Sequence, residues 1–347
     1  MSNKNKRTEL YELGEFRLID RLTDPFKKNQ PTTIMGVGDD AAVIDAGNKH
    51  IVITTDLLLE GIHFDLTYFP LKHLGYKSVV VNLSDVYAMN ATPTQITVSL
   101  GISKRLCVED LEEFYAGVKL ACEKYNVDLV GGDTSASMTG FTISVTAIGE
   151  APKGKLVFRS GAKVNDLICV TGNLGAAYMG LQLLEREKKI FQSTSGTKPD
   201  LTGHEYILER MLKPEAQVGL LTQLNEKGIK PTSMIDISDG LSSELLHICK
   251  NSKVGCRVYL EKIPIDQEAS NMAAEFGIEP TIAALNGGED YELLFTVPLN
   301  NLEKVSSIKG ISVIGHITDE NAGAYLVPEN GDDIKIVAQG WNSLKKE

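Results

Sequence analysis

The sequence predicts a two-domain chain that combines strands and helices and falls in the α+β or mixed α/β class. With 347 residues it is long for one domain and suited to two. Apolar residues make up 42% of the chain, which is enough to fill two hydrophobic cores. Strand patterns alternate with helix patterns in both halves, and a turn-rich segment at 151–155 lies between them. We therefore predict one domain at residues 1–150 and a second at residues 151–347.

The first half contains predicted strands and helices in alternation. A β-branched run predicts a strand that ends at Asp56, and clean apolar–polar alternation predicts two more strands. Apolar residues at mostly helical spacing predict two helices, the second of which is amphipathic. The predicted elements are strands at 51–55, 95–102 and 141–148 and helices at 71–87 and 109–125.

The second half restarts the same mixture after the turn-rich segment. Short apolar runs predict strands, and longer periodic segments that follow a turn predict helices. The polar segment 191–203 is predicted to be a mobile loop. The predicted elements are strands at 166–171, 234–237, 257–260 and 293–297 and helices at 174–189 and 240–250.

The charge balance argues against a broad nucleic-acid surface. The chain has 35 Lys and Arg residues against 46 Asp and Glu residues, which gives a net charge of −11. Binding to phosphate backbones needs clustered cations, and an acidic chain of this kind does not supply them. A protein of this composition that handles phosphates would need a few placed cations or bound metal ions.

The cysteines and the N-terminus predict a cytoplasmic protein. Five scattered cysteines without a CxxC motif fit a reducing compartment and support neither a zinc ribbon nor a thioredoxin-like motif. The first 16 residues are polar and lack the apolar core of a signal peptide. The long uncharged run at 86–103 contains asparagine, threonine and proline, so it predicts a turn and a strand and no membrane span.

Acidic residues occur repeatedly at predicted strand ends and beside glycines. Each motif alone is equally consistent with a helix cap or a turn, and Asp239 could be only an N-cap. Asp85 is harder to explain locally, because a carboxylate in an apolar segment needs a partner when it is buried. Six such motifs together favour one convergent acidic site. The acids concerned are Asp39, Asp40, Asp56, Asp85, Asp133, Asp236, Asp239, Glu289 and Asp290.

Carboxylates without a His/Cys ligand pattern suit a hard cation, and Mg²⁺ above all. The neighbouring glycines would let backbone N–H groups approach phosphate oxygens. The sequence has neither the GxxxxGK[ST] loop nor the HRD and DFG motifs of protein kinases. The Thr171–Gly175 turn before a predicted helix is a weak candidate for a phosphate loop. Any nucleotide site therefore needs another design, in which metal ions supply most of the positive charge.

At these motifs the sequence closely resembles the thiamine-monophosphate kinase family, in the superfamily related to aminoimidazole ribonucleotide (AIR) synthetase. The resemblance runs from Gly14 to Trp341. The motifs that carry it are, in order, GVGDDAAV, TTDLLLEGIHF, YKSVVVNLSD, GGDTS, RSGAK, VTGNLG, IDISDGL and GGEDYELLF.

The resemblance implies Mg²⁺-dependent transfer of a phosphoryl group from ATP to thiamine monophosphate, which gives thiamine diphosphate and ADP. The implied metal ligands are Asp40, Thr54, Thr55, Asp56, Asp85, Asp133, Asp236 and Asp239. The implied ATP contacts are Tyr115, Gly132, Arg159 and Ser238. The implied contacts to thiamine monophosphate are His63, Glu289 and Trp341. It assigns no role to Asp39 or Asp290.

The resemblance also implies a fold and an assembly. The N-terminal α/β domain would pair its strands across a homodimer, and the C-terminal domain would be α+β. The active site would lie in the cleft between the domains and be partly lined by the partner subunit, with no nucleic acid or membrane as partner. Because the acceptor is itself an ionised phosphate, we expect direct in-line transfer with no phosphoenzyme and no catalytic nucleophile.

Other interpretations of single residues stay open at the level of sequence. Arg159 could be a surface arginine, His63 a satisfied histidine, Glu289 a turn acid and Trp341 ordinary packing. The chain could also be a structural Ca²⁺- or Mg²⁺-binding protein, although ligands spread over residues 40–239 favour an interdomain site over a single-loop site. A further alternative is an ATP-dependent synthetase of the same superfamily, which would release free phosphate.

Overall fold

Two mixed β-sheets, one in each half of the chain, organise the protein. The computed structural model describes residues 13, 15–25, 28–193 and 199–338. Within these residues the first sheet has six strands in the order β1-β2-β3-β6-β4-β5 and the second has seven in the order β13-β12-β9-β11-β7-β10-β8. Each sheet is antiparallel except for one parallel pair, β4 with β5 and β12 with β9. The part of the chain described contains no helix long and apolar enough to cross a membrane.

The first helix with described bounds is the short helix α1 (Glu15–Thr23). Two longer helices cover one side of the first domain's sheet: α2 packs on β3, β4 and β6, and α3 packs on α2. Its strands are β1 (Thr33–Met35), β2 (Ala42–Asp45), β3 (Lys49–Leu59), β4 (Thr92–Ser103), β5 (Asp128–Ser137) and β6 (Thr142–Pro152), and its two longer helices are α2 (Leu71–Ala88) and α3 (Val108–Tyr125).

In the described residues the second domain combines its sheet with one long helix, with six shorter helices and with three turns of 3₁₀ helix. Its strands are β7 (Leu167–Thr171), β8 (Ser233–Asp236), β9 (Val254–Tyr259), β10 (Leu293–Val297), β11 (Ile311–Asp319), β12 (Ala324–Val327) and β13 (Ile334–Lys335). Its helices are α4 (Ala176–Ser193), α5 (Glu205–Leu212), α6 (Val218–Glu226), α7 (Leu241–Ser252), α8 (Gln267–Glu275), α9 (Pro280–Asn286) and α10 (Leu302–Ser306). The 3₁₀ turns are Leu260–Lys262, Leu299–Asn301 and Glu320–Ala322.

The predicted class and the main elements agree with the structure, and two local predictions were wrong. The strand predicted to end at Asp56 continues to Leu59, because the apolar run Leu57–Leu59 extends its pairing with β6. The glycine motif 131–134 is not a turn but part of strand β5. Helix α4 runs into the predicted 191–203 loop, of which residues 194–198 lie outside the described part. The domain bounds 1–150 and 151–347 stay a prediction.

Two glycines let helices α2 and α3 pack at backbone distance. A Cβ atom added to Gly75 of α2 would lie 1.9 Å from the carbonyl oxygen of Phe114. One added to Gly117 of α3 would lie 1.8 Å from the carbonyl oxygen of Lys72. Backbone atoms cannot move aside as a flexible side chain can, so both positions need glycine. This close contact fixes helix α2, which carries Asp85 and Lys77 into the site described below.

We expect Gly117→Ala to destabilise the protein by at least about 1–3 kcal/mol, because the new methyl group must separate the two helices. Urea unfolding followed by circular dichroism would measure the loss. Gly219→Ala in helix α6 is the matched control, since nothing lies within 4 Å of its added Cβ. Equal stability of the two variants would contradict the proposed close packing.

Candidate active site

A cavity of about 340 Å³ lies between the two domains and is lined by several of the predicted acidic residues. Its walls come from strand β3 and helix α2 on one side. On the other side lie the β8–α7 junction and the turn before β10. The predicted site residues that line it are Asp40, Thr54, Asp56, His63, Asp85, Arg159, Asp236, Ser238, Asp239 and Glu289. The structure therefore brings ten of the predicted residues to one place.

Three carboxylates form the centre of the cavity. Oxygen atoms of Asp40, Asp85 and Asp236 all lie within 4.8 Å of one another. Ser84 Oγ of the first domain donates to Asp236 Oδ2 at 2.7 Å, and Thr54 Oγ1 donates to Asp85 Oδ2 at 2.6 Å. These hydrogen bonds orient the carboxylates from two domains towards a common point.

The electrostatics of this trio are unfavourable without a cation. Burial, with repulsion from Asp40, raises the pKa of Asp236 to about 7. Burial, with repulsion from Asp56 and Asp236, raises the pKa of Asp85 well above its usual range. Burial, followed by repulsion from Glu289, raises the pKa of Asp56 to about 6. A bound cation would offset this repulsion and hold the carboxylates ionised.

The donor set fits a hard divalent cation. All ligand atoms of the trio are carboxylate oxygens, which is the chemistry that Mg²⁺ and Ca²⁺ prefer. Within the described residues, Asp40 Oδ2 is buried and has no hydrogen-bond partner. A buried polar atom of this kind needs a partner, and a metal ion would provide one.

The alternation of strand β3 separates two neighbouring threonines. Thr54 and Asp56 line the cavity, and the Asp56 N–H donates to Asn82 Oδ1 at 3.0 Å. Thr55 points to the opposite face, where its Oγ1 donates to the carbonyl oxygen of Val145 at 3.1 Å. Within one subunit, Thr55 is therefore separated from the cavity that its two neighbours line.

Three more predicted residues lie away from the cavity. Gly132 and Asp133 belong to β5, which β6 and β4 separate from β3, a distance of about 14 Å at the usual strand spacing. A Cβ on Gly132 would lie 1.8 Å from the carbonyl oxygen of Val98, so close strand packing alone explains this glycine. Tyr115 lies on α3 with its ring centroid 5.7 Å from that of Phe114. Gly132, Asp133 and Tyr115 could bind ATP or metal as predicted only at a site that this cavity of a single subunit does not include.

Arg159 joins the segment between β6 and β7 to the acidic trio. Its Nη2 donates to Asp40 Oδ1 at 2.8 Å, and its backbone N–H donates to both carboxylate oxygens of Asp39 at 3.2 Å. Burial, with repulsion from Asp40, raises the pKa of Asp39 to about 7. Arg159 is thus not a simple surface arginine. Asp39, which the sequence left without a role, anchors the backbone that carries Arg159.

The turn before β10 wraps over the β8–α7 junction. Glu289 adopts a left-handed φ of 63°, and its N–H donates to the carbonyl oxygen of Ser238 at 2.7 Å. A Cβ on Gly288 would lie 2.5 Å from that same oxygen, so this close approach needs glycine. The turn places the Glu289 side chain at the cavity, across from His63, whose Nδ1 accepts from the Leu59 N–H at 3.0 Å.

The structure rules out two alternatives that the sequence left open at helix termini. Asp239 is not an N-cap, because Gly240 takes that position and no side chain caps the helix. The Thr171–Gly175 turn is not a phosphate loop, because Asp290 occupies the N-terminus of α4: both its oxygens accept from the Gly175 N–H, at 2.9 and 3.1 Å. Asp290, which the sequence left without a role, therefore has a structural one.

Several side chains that line the cavity were not predicted from the sequence, among them Lys77, Glu244, Phe16 and His247. The buried Lys77 forms an ion pair with the partly exposed Glu289. Glu244 accepts from the Asp239 N–H at 3.1 Å, and burial raises its pKa well above the usual range. Phe16 and His247 stack edge to face with centroids 4.4 Å apart. A charged residue inside an apolar helix was a usable signal for Lys77, as it was for Asp85. Trp341 lies outside the described residues.

Comparison with known families defines the class. Residues 38–151 match the family described as "AIR synthase related protein, N-terminal domain", and residues 163–327 match its C-terminal domain. The protein is therefore a two-domain AIR-synthase-related protein, which confirms the predicted fold class.

Similar full-length proteins indicate one particular family within this class. A thiamine-monophosphate kinase of Aquifex aeolicus is 34% identical over 332 residues, covering 96% of this chain and 98% of the relative. One of Buchnera aphidicola is 37% identical over 338 residues, covering 95% and 99%. A solved structure described as "AaThiL complexed with AMPPCP and TMP" aligns with a TM-score of 0.82 at 32% identity, covering 97% and 99%. The chain belongs to the thiamine-monophosphate kinase family.

We expect Mg²⁺ to raise the midpoint of thermal unfolding, because it would relieve repulsion among Asp40, Asp85 and Asp236. At about 100 times its dissociation constant the gain would be about 2.7 kcal/mol. Asp85→Asn should lose most of it, whereas Asp45→Asn, on the first sheet and paired with Lys153, should keep it. An equal Mg²⁺ shift in wild type and Asp85→Asn would remove Asp85 from the metal site.

The same shift should depend on pH. The folded pKa of Asp236 is about 7, above its ordinary 3.8, so in metal-free protein its contribution to stability is present at low pH and lost as pH rises through about 7. Protons compete with the metal below that pKa. The Mg²⁺-induced shift, measured by differential scanning fluorimetry, should therefore be larger at about pH 8 than at about pH 6. The reverse order would contradict this electrostatic account.

Proposed function

We propose that this chain transfers the γ-phosphoryl group of ATP to the phosphate of thiamine monophosphate and forms thiamine diphosphate and ADP. The observation that carries the proposal is the trio Asp40, Asp85 and Asp236, gathered from two domains at one cavity in a chain of this family. Two phosphate-bearing substrates would meet strong repulsion at such a site unless cations intervened. We place this activity in the cytoplasm.

The carboxylates would hold Mg²⁺. Asp40, Asp85 and Asp236 supply the closest group of oxygens, and Thr54 and Asp56 flank it on β3. Asp239 lines the same cavity on the α7 side and is a candidate for a separate ion. Bound Mg²⁺ would neutralise phosphate oxygens and hold the two reacting phosphates together.

The chain's own residues would position the substrates. Arg159 and Ser238 line the cavity beside the acidic trio and would contact ATP. Arg159 already donates to Asp40, which holds its guanidinium beside the acidic trio, where the phosphates would bind. His63 and Glu289 line the cavity from the two domains and would contact thiamine monophosphate. Trp341 would complete that contact.

Direct in-line transfer is the mechanism that this side-chain set favours. The acceptor phosphate is already ionised, so transfer needs positioning and charge neutralisation more than a base. Of the histidines that line the cavity in the described residues, His63 accepts a backbone N–H and His247 packs on Phe16. The carboxylates are the remaining candidates for a phosphoenzyme, and as metal ligands they would be poor nucleophiles.

A homodimer would supply the contacts that one subunit lacks. Strand β5 lies at the edge of its sheet, and its successive residues Leu129 and Val130 are 45% and 57% exposed, so both of its faces are open. A long edge strand that exposes apolar side chains is a site for association. In the proposed dimer, the partner's β5 would bring its glycine-acid motif to this cleft. This would give Gly132, Asp133 and Tyr115 their predicted roles in ATP and metal binding, with Thr55 at the same shared face.

We expect the purified chain to form thiamine diphosphate and ADP in equal amounts from thiamine monophosphate and ATP. EDTA should abolish turnover and Mg²⁺ should restore it. A chiral γ-phosphoryl group should be transferred with inversion, because one in-line displacement inverts the phosphorus. Net retention of the configuration at phosphorus would refute direct transfer but not the kinase activity. Free phosphate without thiamine diphosphate would favour a synthetase, and Mg²⁺ binding without any turnover would favour a structural cation-binding protein.

The shared site predicts complementation between two inactive variants. Asp85→Asn disables the cleft of its own subunit, and Asp133→Asn disables the β5 that it lends to its partner. Refolding an equal mixture should restore about a quarter of the wild-type activity, since half of the dimers are mixed and each has one intact site. Light scattering should give the mass of a dimer. No recovery in mixed dimers would show that each subunit uses its own Asp133 or none.

A further inference from the structure

A buried lysine is the starting point. Lys77 lies on helix α2 in a largely buried segment, and its side chain is only 2% exposed. Lysine is almost never fully buried unless its charge is paired, because removing an ammonium group from water is costly. Among the described residues that line the cavity, Lys77 and Arg159 supply the lysine and the arginine side chains. Arg159 pairs with Asp40 of the acidic trio, whereas Lys77 pairs with Glu289.

The contacts of Lys77 cross from the first domain to the second. Its Nζ donates to the carbonyl oxygen of Met211 at 2.9 Å, near the C-terminus of α5, where helix carbonyls carry partial negative charge. It forms an ion pair with Glu289 Oε2. It also lies 5.4 Å from the centre of the Phe69 ring, within cation–π range. The ammonium group is therefore held in one place by partners from both domains.

The ion pair with Lys77 changes how the Glu289 carboxylate can bind a ligand. The left-handed turn brings the carboxylate to the cavity, and Lys77 holds its Oε2 atom. The Lys77 ammonium group offsets much of the charge that Glu289 would present to a ligand, although the carboxylate still repels Asp56. A neutralised carboxylate is a weak counter-ion for a cation, but its oxygens still accept hydrogen bonds. The site is thus suited to a ligand with an N–H donor more than to a bare positive charge.

We propose that Lys77 is a positioning residue for substrate recognition, which holds Glu289 so that it accepts a hydrogen bond from the amino group of the substrate's pyrimidine ring. This inference rests on the proposed function. In thiamine monophosphate that amino group is the N–H donor, whereas the thiazolium nitrogen carries no hydrogen. Lys77 acts through Glu289 and takes no part in the phosphoryl transfer at the acidic trio.

The test separates recognition of thiamine monophosphate from recognition of ATP. Lys77→Met should raise the KM for thiamine monophosphate by about 10- to 100-fold, the range of a hydrogen bond to a charged group, and change the KM for ATP by less than about twofold. Glu289→Gln should raise the same KM. In the double variant the two effects should not add, because Lys77 acts only through Glu289.

Lys124→Met is the matched control. Lys124 also pairs a first-domain helix with a second-domain carboxylate, since its Nζ lies 2.6 Å from Glu215 Oε2, but it is absent from the cavity wall. Its loss should leave both KM values unchanged. Equal increases of both KM values in Lys77→Met, or no increase at all, would overturn the proposal.

The double variant also protects the test against misfolding. Lys77→Met alone leaves a carboxylate without its partner, whereas Lys77→Met/Glu289→Gln leaves no unpaired charge and should fold. Its KM for thiamine monophosphate should equal that of Glu289→Gln, and a further increase would overturn the proposal. An inactive wild type would refute the proposed function and this inference with it, whereas an active wild type with an unchanged Glu289→Gln would refute the inference alone.

A substrate analogue provides an independent measurement. Oxythiamine monophosphate carries a carbonyl group where thiamine monophosphate carries the amino group. The wild type should have a KM at least about tenfold higher for the analogue, because its carbonyl faces a carboxylate that cannot donate. Glu289→Gln should reduce that ratio, since an amide can donate to the carbonyl. A wild type that accepts both substrates equally would show that Glu289 does not read the amino group.

Discussion

Like charges held close together in a buried cleft are the constraint on which this structure depends. Asp40, Asp85 and Asp236 come from a turn, a helix and a strand end, and their oxygens lie within 4.8 Å of one another. Two unit charges at that distance repel by roughly 3 kcal/mol at an effective dielectric constant of about 20. Arg159 offsets only part of this repulsion. The closed arrangement of the two domains is therefore linked to the supply of positive charge.

Contacts around the cavity hold the domains together against that repulsion. The Ser84–Asp236 hydrogen bond joins them at the acidic centre, and Lys77 joins them at the Glu289 end. Further away, the hydroxyl groups of Tyr76 and Tyr125 both donate to Glu215 Oε2 at 2.6 Å. Because these contacts are spread along helices α2 and α3, the close packing of those two helices sets the geometry of the whole cleft.

The periodicity of apolar residues predicted most of the main helices and strands, because an element that is buried on one side repeats apolar residues at a fixed spacing. It also predicted that the acids converge, since separate buried carboxylates are hard to explain. It could not show which side of a strand a residue takes when both sides are polar, so it did not separate Thr55 from Thr54, and the role of both as metal ligands came from the family resemblance. Nor could it show that Asp290 would cap a helix more than 100 residues away, or that Lys77 would meet Glu289. Those facts depend on tertiary contacts.

Strand β3 would join the proposed metal site to the proposed dimer. Thr54 and Asp56 face the cavity, whereas Thr55, between them, faces the side of the sheet that α2 and α3 leave uncovered. Thr54, Thr55 and Asp56 lie on one strand that is held on both sides by β2 and β6. A shift of the backbone at one of these residues therefore moves the other two. A partner docked on the open face would thus fix the same backbone that positions the proposed metal ligands. Dimer formation and metal binding should therefore stabilise one another.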